Sequence, residues 1–218
     1  MKRNTFLLSI TLFAAFVLWT AAVQHLDVRC IGPNGSAVGF AALNGAFHNF
    51  TGVHMTLYTV TDWLGLVPVA FGFAFAILGL VQWIRRRSIL RVDFSILVLG
   101  GFYLAVLAAY LLFESYAVNY RPVLIGGFLE ASYPSSTTLL VLCVMGTALR
   151  QLHSRIQNRK FRTALSLLIR IFIAFLVVGR LLSGVHWLTD IIGGILLSAA
   201  LLVLYDALCS RKPDFFKT

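Results

Sequence analysis

A chain of 218 residues that is 59% hydrophobic and only 12% charged lacks the polar surface to cover a water-soluble globule. Its mean hydropathy of +0.87 argues equally against disorder, and three cysteines in unlike settings, Cys30, Cys143 and Cys209, do not form a disulfide framework. The net charge of +10 is not the footprint of a nucleic-acid binder, because the cations sit in short clusters between apolar runs, where membrane orientation signals belong. The composition describes an all-α polytopic membrane protein: one domain over residues 1–218, a single bundle of six transmembrane helices.

A helix that crosses the hydrocarbon needs about 20 mostly apolar residues. In chain order the predicted spans run from Thr5 to Val23, Trp63 to Ile84, Ser95 to Phe113, Ser135 to Leu149, Ala164 to Leu182 and Trp187 to Leu208. The first follows Lys2 and Arg3 like a signal peptide, but its apolar run exceeds the about 7–15 residues of a signal core, and it reads as a retained helix. The fifth carries Arg170, which either snorkels to the interface or pairs inside the bundle. Trp19, Trp63, Trp83 and Trp187 fall near span ends, as aromatic belts do.

With the amino terminus in the cytoplasm, 14 of the 18 lysines and arginines fall on the inner side, including Arg85 to Arg87, the basic stretch from Arg150 to Arg162, and Arg211, Lys212 and Lys217. The outer segments keep only Arg29, Arg121 and Arg180. Both termini are therefore expected to be cytoplasmic, in a plasma or inner membrane. Three outer connections follow: a long one from Gln24 to Asp62 whose stretch Val38–Phe50 is suited to the membrane surface, a second from Glu114 to Pro134, and a tight turn at Ser183-Gly184.

Arg121 and Arg180 stand at membrane ends where orientation rules disfavour them, and an anionic ligand accounts for both. His186 and Asp190 are four residues apart at the start of the last helix and share one face. A carboxylate there accepts the ring N–H, sets the tautomer and leaves the other nitrogen free to attack or to take a proton. Ser135, Ser136 and Thr137 open the fourth span after Pro134, and free N–H groups at a helix N-terminus cradle anions. Each piece alone has a plainer reading: an N-cap, an interfacial hydrogen bond, a lipid headgroup contact. Together, on one predicted outer face, they make a phosphate site. The sequence holds no metal-ligand cluster, Walker loop or dinucleotide fingerprint, so neither metal nor cofactor is expected.

These residues resemble the type 2 phosphatidic acid phosphatase superfamily of integral membrane lipid phosphatases. That family carries Lys-x6-Arg-Pro, then Pro-Ser-Gly-His, then Ser-Arg-x5-His-x3-Asp. Here the third motif reads Gly179-Arg180, five residues, His186, three residues, Asp190. The first keeps Arg121-Pro122 with Glu114 at the lysine position, and the second keeps Pro134-Ser135 and then departs to Ser136-Thr137. The resemblance spans roughly Ser95 to Leu208. It implies a hydrolase acting on a phosphorylated lipid at the outer face of the bilayer. His186 would form a phosphohistidine, oriented by Asp190; Arg121 and Arg180 would hold the phosphoryl oxygens; Ser135, with Ser136 and Thr137, would add donors.

The family's second-motif histidine, which protonates the leaving group, is absent. General acid help is worth about 10²–10⁴-fold, a loss felt by an alkoxide leaving group and much less by a phosphate, whose second pKa is about 6. A diphosphate lipid such as a polyprenyl diphosphate is the favoured substrate on that argument. Glu114, Glu130 and His54 are the candidates to modulate the site or to supply the missing proton. The alternative is a relative that binds a phosphorylated lipid without turnover.

Overall fold

A computed structural model describes residues 2–210; Arg211, Lys212 and Lys217 of the orientation argument lie outside the described residues, as do the side chains of Lys2 and Arg3. Eight α-helices follow in order among the described residues: α1 Lys2–His25, α2 Ala41–Thr51, α3 Met55–Leu64, α4 Leu66–Arg86, α5 Phe94–Ser115, α6 Ser136–Arg155, α7 Arg159–Leu182 and α8 Leu188–Cys209. Between them lie short 3-10 turns and isolated β-bridges.

Five stretches are long and apolar enough to cross a membrane: Asn4–His25, Met55–Arg86, Phe94–Ser115, Arg159–Leu182 and Leu188–Cys209. The remaining expected span, Ser135 to Leu149, is α6, which has the length but falls short in apolarity. The reason is its position. α6 packs against α4, α5, α7 and α8, and Val141, Cys143, Met145 and Ala148 are buried. A helix enclosed by other helices needs no lipid-facing stripe. It therefore carries Thr147 and Gln151 in buried positions, where neighbouring groups satisfy them: Thr147 bonds Cys143 O at 2.8 Å and Gln151 bonds the Tyr205 hydroxyl at 2.6 Å.

The second span begins earlier than the apolar pattern suggests, because α3 and α4 run on from one another. They break at Gly65, and the cause is Pro68 in the first turn of α4. A proline ring inside a helix collides with the carbonyl four residues back, here Leu64. α1 lies along α8, with Ser9 Oγ donating to the Ala200 carbonyl at 3.0 Å. Arg170 sits on the exposed face of α7, not inside the bundle. Trp63 and Trp83 are 68% and 50% exposed, as belt residues should be. Trp187 is not one of them: it is buried, and its indole N–H donates to the Tyr120 carbonyl at 2.7 Å.

The stretch Val38–Phe50 forms α2, and it is anchored to the bundle by a buried asparagine. Asn44 donates to Thr189 Oγ1 at 2.9 Å and accepts the Thr189 N–H at 3.2 Å. The first connection also touches the third: the His54 N–H donates to Ser183 O at 2.9 Å, and a Cβ on Gly184 would fall 2.0 Å from Gly52 O. Only glycine fits there, and its φ of +70° is one that glycine adopts freely. At the opposite end of the bundle Asp93 receives Gln82 and Arg86 of α4 and Arg155 of α6 at 2.8, 3.0 and 3.2 Å.

Gly193 of α8 leaves room for the ring of Tyr133, which a Cβ would approach to 2.5 Å. Tyr133 is buried, and its hydroxyl bonds Thr20 at 2.7 Å. Gly193→Ala is expected to cost about 1–3 kcal/mol by overpacking, read as a lower thermal midpoint in detergent; an unchanged midpoint would show that the ring yields freely.

Candidate active site

A β-hairpin carries the first arginine. Asn119 and Ser132, then Arg121 and Glu130, face each other across it: the Ser132 N–H donates to Asn119 O at 2.9 Å and the Arg121 N–H to Glu130 O at 3.0 Å. Its tip is Gly126-Gly127 with φ of +59° and +86°, the two-residue turn that requires positive φ at both positions. The hairpin sets Arg121 and Glu130 as a cross-strand pair, with Nε 3.0 Å from the carboxylate. Arg121 is 9% exposed, and its Nη1 reaches inward to His186 Nε2 at 3.3 Å.

His186 and Asp190 sit where α7 turns into α8. Asp190 is fully buried, and its Oδ2 accepts the Trp187 N–H at 2.9 Å, capping the first turn of α8. Its Oδ1 lies 3.4 Å from Asn119 Nδ2, and its carbonyl accepts the Ser135 N–H at 3.1 Å. The carboxylate faces His186 Nδ1 at 3.7 Å, an ion-pair distance longer than a hydrogen bond. Arginine has no acceptor, so the contact at Nε2 requires that nitrogen to be the acceptor. The ring proton therefore resides on Nδ1, toward Asp190, and the Nε2 lone pair points into the site.

Arg180, at the end of α7, is 2% exposed and held from two other helices, α6 and α3. Its Nε and Nη2 donate to Thr137 Oγ1 of α6 at 3.0 and 2.7 Å, and Nη2 donates to Asp62 Oδ1 of α3 at 2.7 Å. Nη1 meets the Tyr58 carbonyl at 3.4 Å, and the guanidinium lies 4.8 Å from the Tyr58 ring centroid. Asp62, Tyr58 and Asn119 were not anticipated from sequence. No spacing rule links α3 to α7, although Gly126-Gly127 between Ile125 and Phe128 is a legible hairpin signal that would have set Asn119 opposite the strand of Glu130.

Ser135 is buried with no partner for its Oγ among the described residues, and Thr138 Oγ1 is in the same condition. Ser136 and Glu114 line one cleft with His186, Tyr110, Phe113 and Tyr133. Thr137 hydrogen-bonds Arg180. His54 is turned elsewhere: its ring Nε2 is 2.9 Å from Thr51 O, and it borders a separate open groove with Val53 and Met55. Cys30, Cys143 and Cys209 are free thiols. No cluster of three histidine, cysteine, aspartate or glutamate side chains suited to a metal occurs among the described residues.

Burial pushes the His186 imidazole down to about 4; Asp190 opposes that shift and Arg121 reinforces it. The imidazole is thus uncharged at neutral pH, the form a nucleophile needs. Because the folded value lies below the ordinary 6.5, the contribution to stability is full above pH 6.5 and is lost as pH falls toward 4. Nitrogen-15 NMR of histidine-labelled protein in micelles, assigned with His186→Gln, is expected to show His186 neutral with the proton on Nδ1 at pH 6; a titration midpoint near 6.5 would contradict the burial argument.

Residues 119–212 match the model of the PAP2 superfamily. The fold resembles the crystal structure of the first transmembrane PAP2 type phosphatidylglycerolphosphate phosphatase from Bacillus subtilis, with a TM-score of 0.52 and 17% identity over 95% of this chain and 98% of that one. A search of curated protein sequences returns no match. The matched segment holds Arg121, Ser135, Arg180, His186 and Asp190. The likeness to the PAP2 superfamily thus rests on residues 119–212, the segment that carries both arginines and the His186–Asp190 pair.

Proposed function

We propose that this protein is a membrane lipid phosphatase that hydrolyses a phosphate or diphosphate lipid through a phosphohistidine on His186, without a metal ion. The observation that carries the reading is the contact between Arg121 Nη1 and His186 Nε2 at 3.3 Å. A guanidinium beside a neutral nucleophilic nitrogen serves a group that is anionic and is attacked there. In the reaction, the phosphoryl oxygens take the donors of Arg121 and Arg180, Nε2 attacks phosphorus in line with the leaving oxygen, and Asp190 stabilises the imidazolium that forms. Water then releases phosphate and regenerates the imidazole. The Ser136 backbone N–H at the start of α6 and the unpartnered Ser135 hydroxyl supply further donors.

A lipid substrate is supported by the surroundings of the site. An apolar groove of about 1020 Å³ runs between α4, α5 and α6, passes Gly72, Gly79 and Leu104, and ends at Ser136 and Thr137. A tail seated there keeps its headgroup at the start of α6. The Bacillus subtilis protein of similar fold is a phosphatidylglycerolphosphate phosphatase, which agrees with an acyl or isoprenyl phosphate here. Both termini and the basic 150–162 stretch belong in the cytoplasm on charge grounds, α6 crosses the bilayer as the fourth of six spans, and the site opens to the outer face.

With Thr137 where the family has a histidine, a leaving group that departs as a stable anion is favoured. A polyprenyl diphosphate is the preferred substrate on that basis. The competing reading, a relative that holds a phosphorylated lipid without turnover, draws on the same departure and on Arg121 capping His186 in this structure.

The test is phosphate release by purified protein in micelles from a polyprenyl diphosphate and from phosphatidate, with and without EDTA. Faster turnover of the diphosphate, insensitivity to EDTA, an acid-labile phosphoprotein trapped on quenching and loss of turnover by at least about 10³-fold in His186→Ala are expected. Lipid binding with no turnover in the wild type would establish the binding protein instead.

A further inference from the structure

We infer that Asp62 is the proton donor to the leaving oxygen, in place of the histidine this chain lacks; the inference rests on the hydrolase reading above. Asp62 Oδ1 and Thr137 Oγ1 are each 2.7 Å from the same atom, Nη2 of Arg180. Thr137 is the residue at the vacated histidine position, so α3 delivers a carboxyl to the place where the acid is missing. The hydroxyl of Thr137 is no substitute, because an alcohol gives up its proton far too reluctantly at neutral pH.

In-line geometry separates Asp62 from the other carboxyls. Attacking and leaving atoms stand on opposite sides of phosphorus, so the acid belongs away from His186. Glu130 pairs with Arg121, the arginine that touches His186, and Glu114 borders the same cleft as His186. Both are on the nucleophile's side. Asp62 is on the second arginine, and its side chain is 55% exposed, open to exchange protons with solvent.

The cycle balances. A phosphoryl group that engages Arg180 displaces the Asp62 carboxylate and sets it beside another anion, where it takes up a proton from solvent. His186 Nε2 forms a bond to phosphorus as the phosphorus–oxygen bond to the lipid breaks, and the Asp62 proton passes to the departing oxygen, giving the lipid alcohol. The Asp62 carboxylate next accepts a proton from the water that attacks the phosphohistidine. Phosphate leaves, and His186 returns neutral. A diphosphate needs no such proton and remains the better substrate, while turnover of a monophosphate depends on Asp62.

The experiment compares kcat of wild type, Asp62→Asn and Asp62→Glu on a polyprenyl monophosphate and on the diphosphate of the same chain length. Asp62→Asn is expected to lower monophosphate kcat by about 10²–10⁴-fold and diphosphate kcat by far less, so that the ratio of the two shifts by at least about tenfold. Asp62→Glu, which keeps a carboxyl, is expected to hold the wild-type ratio, and a shift in that variant counts against the assignment even if Asp62→Asn does not fold. Equal losses on both substrates would mean that Asp62 only positions Arg180 and would overturn the proposal, as would no loss. Wild-type protein inactive on both substrates would instead overturn the hydrolase reading, and the role of Asp62 with it.

Discussion

The Asp190 carboxylate, fully enclosed in a protein that has few charges to spare, governs the geometry of one end of this bundle. A buried carboxylate must be surrounded by donors or by positive charge. Asp190 meets that requirement by drawing on separate parts of the chain: the Trp187 N–H from its own helix start, Asn119 from the hairpin and the imidazole of His186. Its backbone carbonyl holds the start of α6 through Ser135. The helix N-terminus favours the negative charge as well. One anion thus fixes where α6, α8 and the 119–132 hairpin meet, and the imidazole is oriented as a by-product of that satisfaction.

Around this anchor the charges are arranged in matched pairs. Arg121 has Glu130 and Arg180 has Asp62, at 3.0 and 2.7 Å. Guanidiniums buried at a membrane rim would otherwise be costly, so each has a carboxylate that is more exposed than itself: 39% for Glu130 and 55% for Asp62 against 10% and 2% for the arginines. Under the proposed function, an entering phosphoryl group would exchange for these carboxylates instead of adding to a bare positive pocket. The carboxylates, being nearer the solvent, are the partners free to move.

The parts of the site that lie on one helix or turn were readable from sequence because helical spacing is periodic. His186 and Asp190 share a face, Arg180 ends the preceding span, and Ser135 starts a helix after a proline. The partners supplied by other elements were not readable. Asp62 reaches Arg180 only because α3 packs on α7, and Asn44 and Asn119 converge on Thr189 and Asp190 from segments far apart in sequence. The spans show the same division. Lipid-facing helices announce themselves by hydropathy, and five do so, whereas α6 is enclosed by its neighbours and is free to be polar. Trp187 looked like an interfacial tryptophan by position and is instead a buried strut on the Tyr120 carbonyl, since hydropathy gives depth along a helix but not the direction a side chain faces.

The central claim is that one phosphoryl group is held by Arg121 and Arg180 while His186 Nε2 addresses its phosphorus. A crystal structure with orthovanadate tests it most directly. The account predicts vanadium bonded to Nε2 of His186, equatorial oxygens within hydrogen-bond distance of both guanidiniums, and the opposite apical oxygen directed toward α3. Vanadate bound away from His186, or contacting only one of the two arginines, would contradict it.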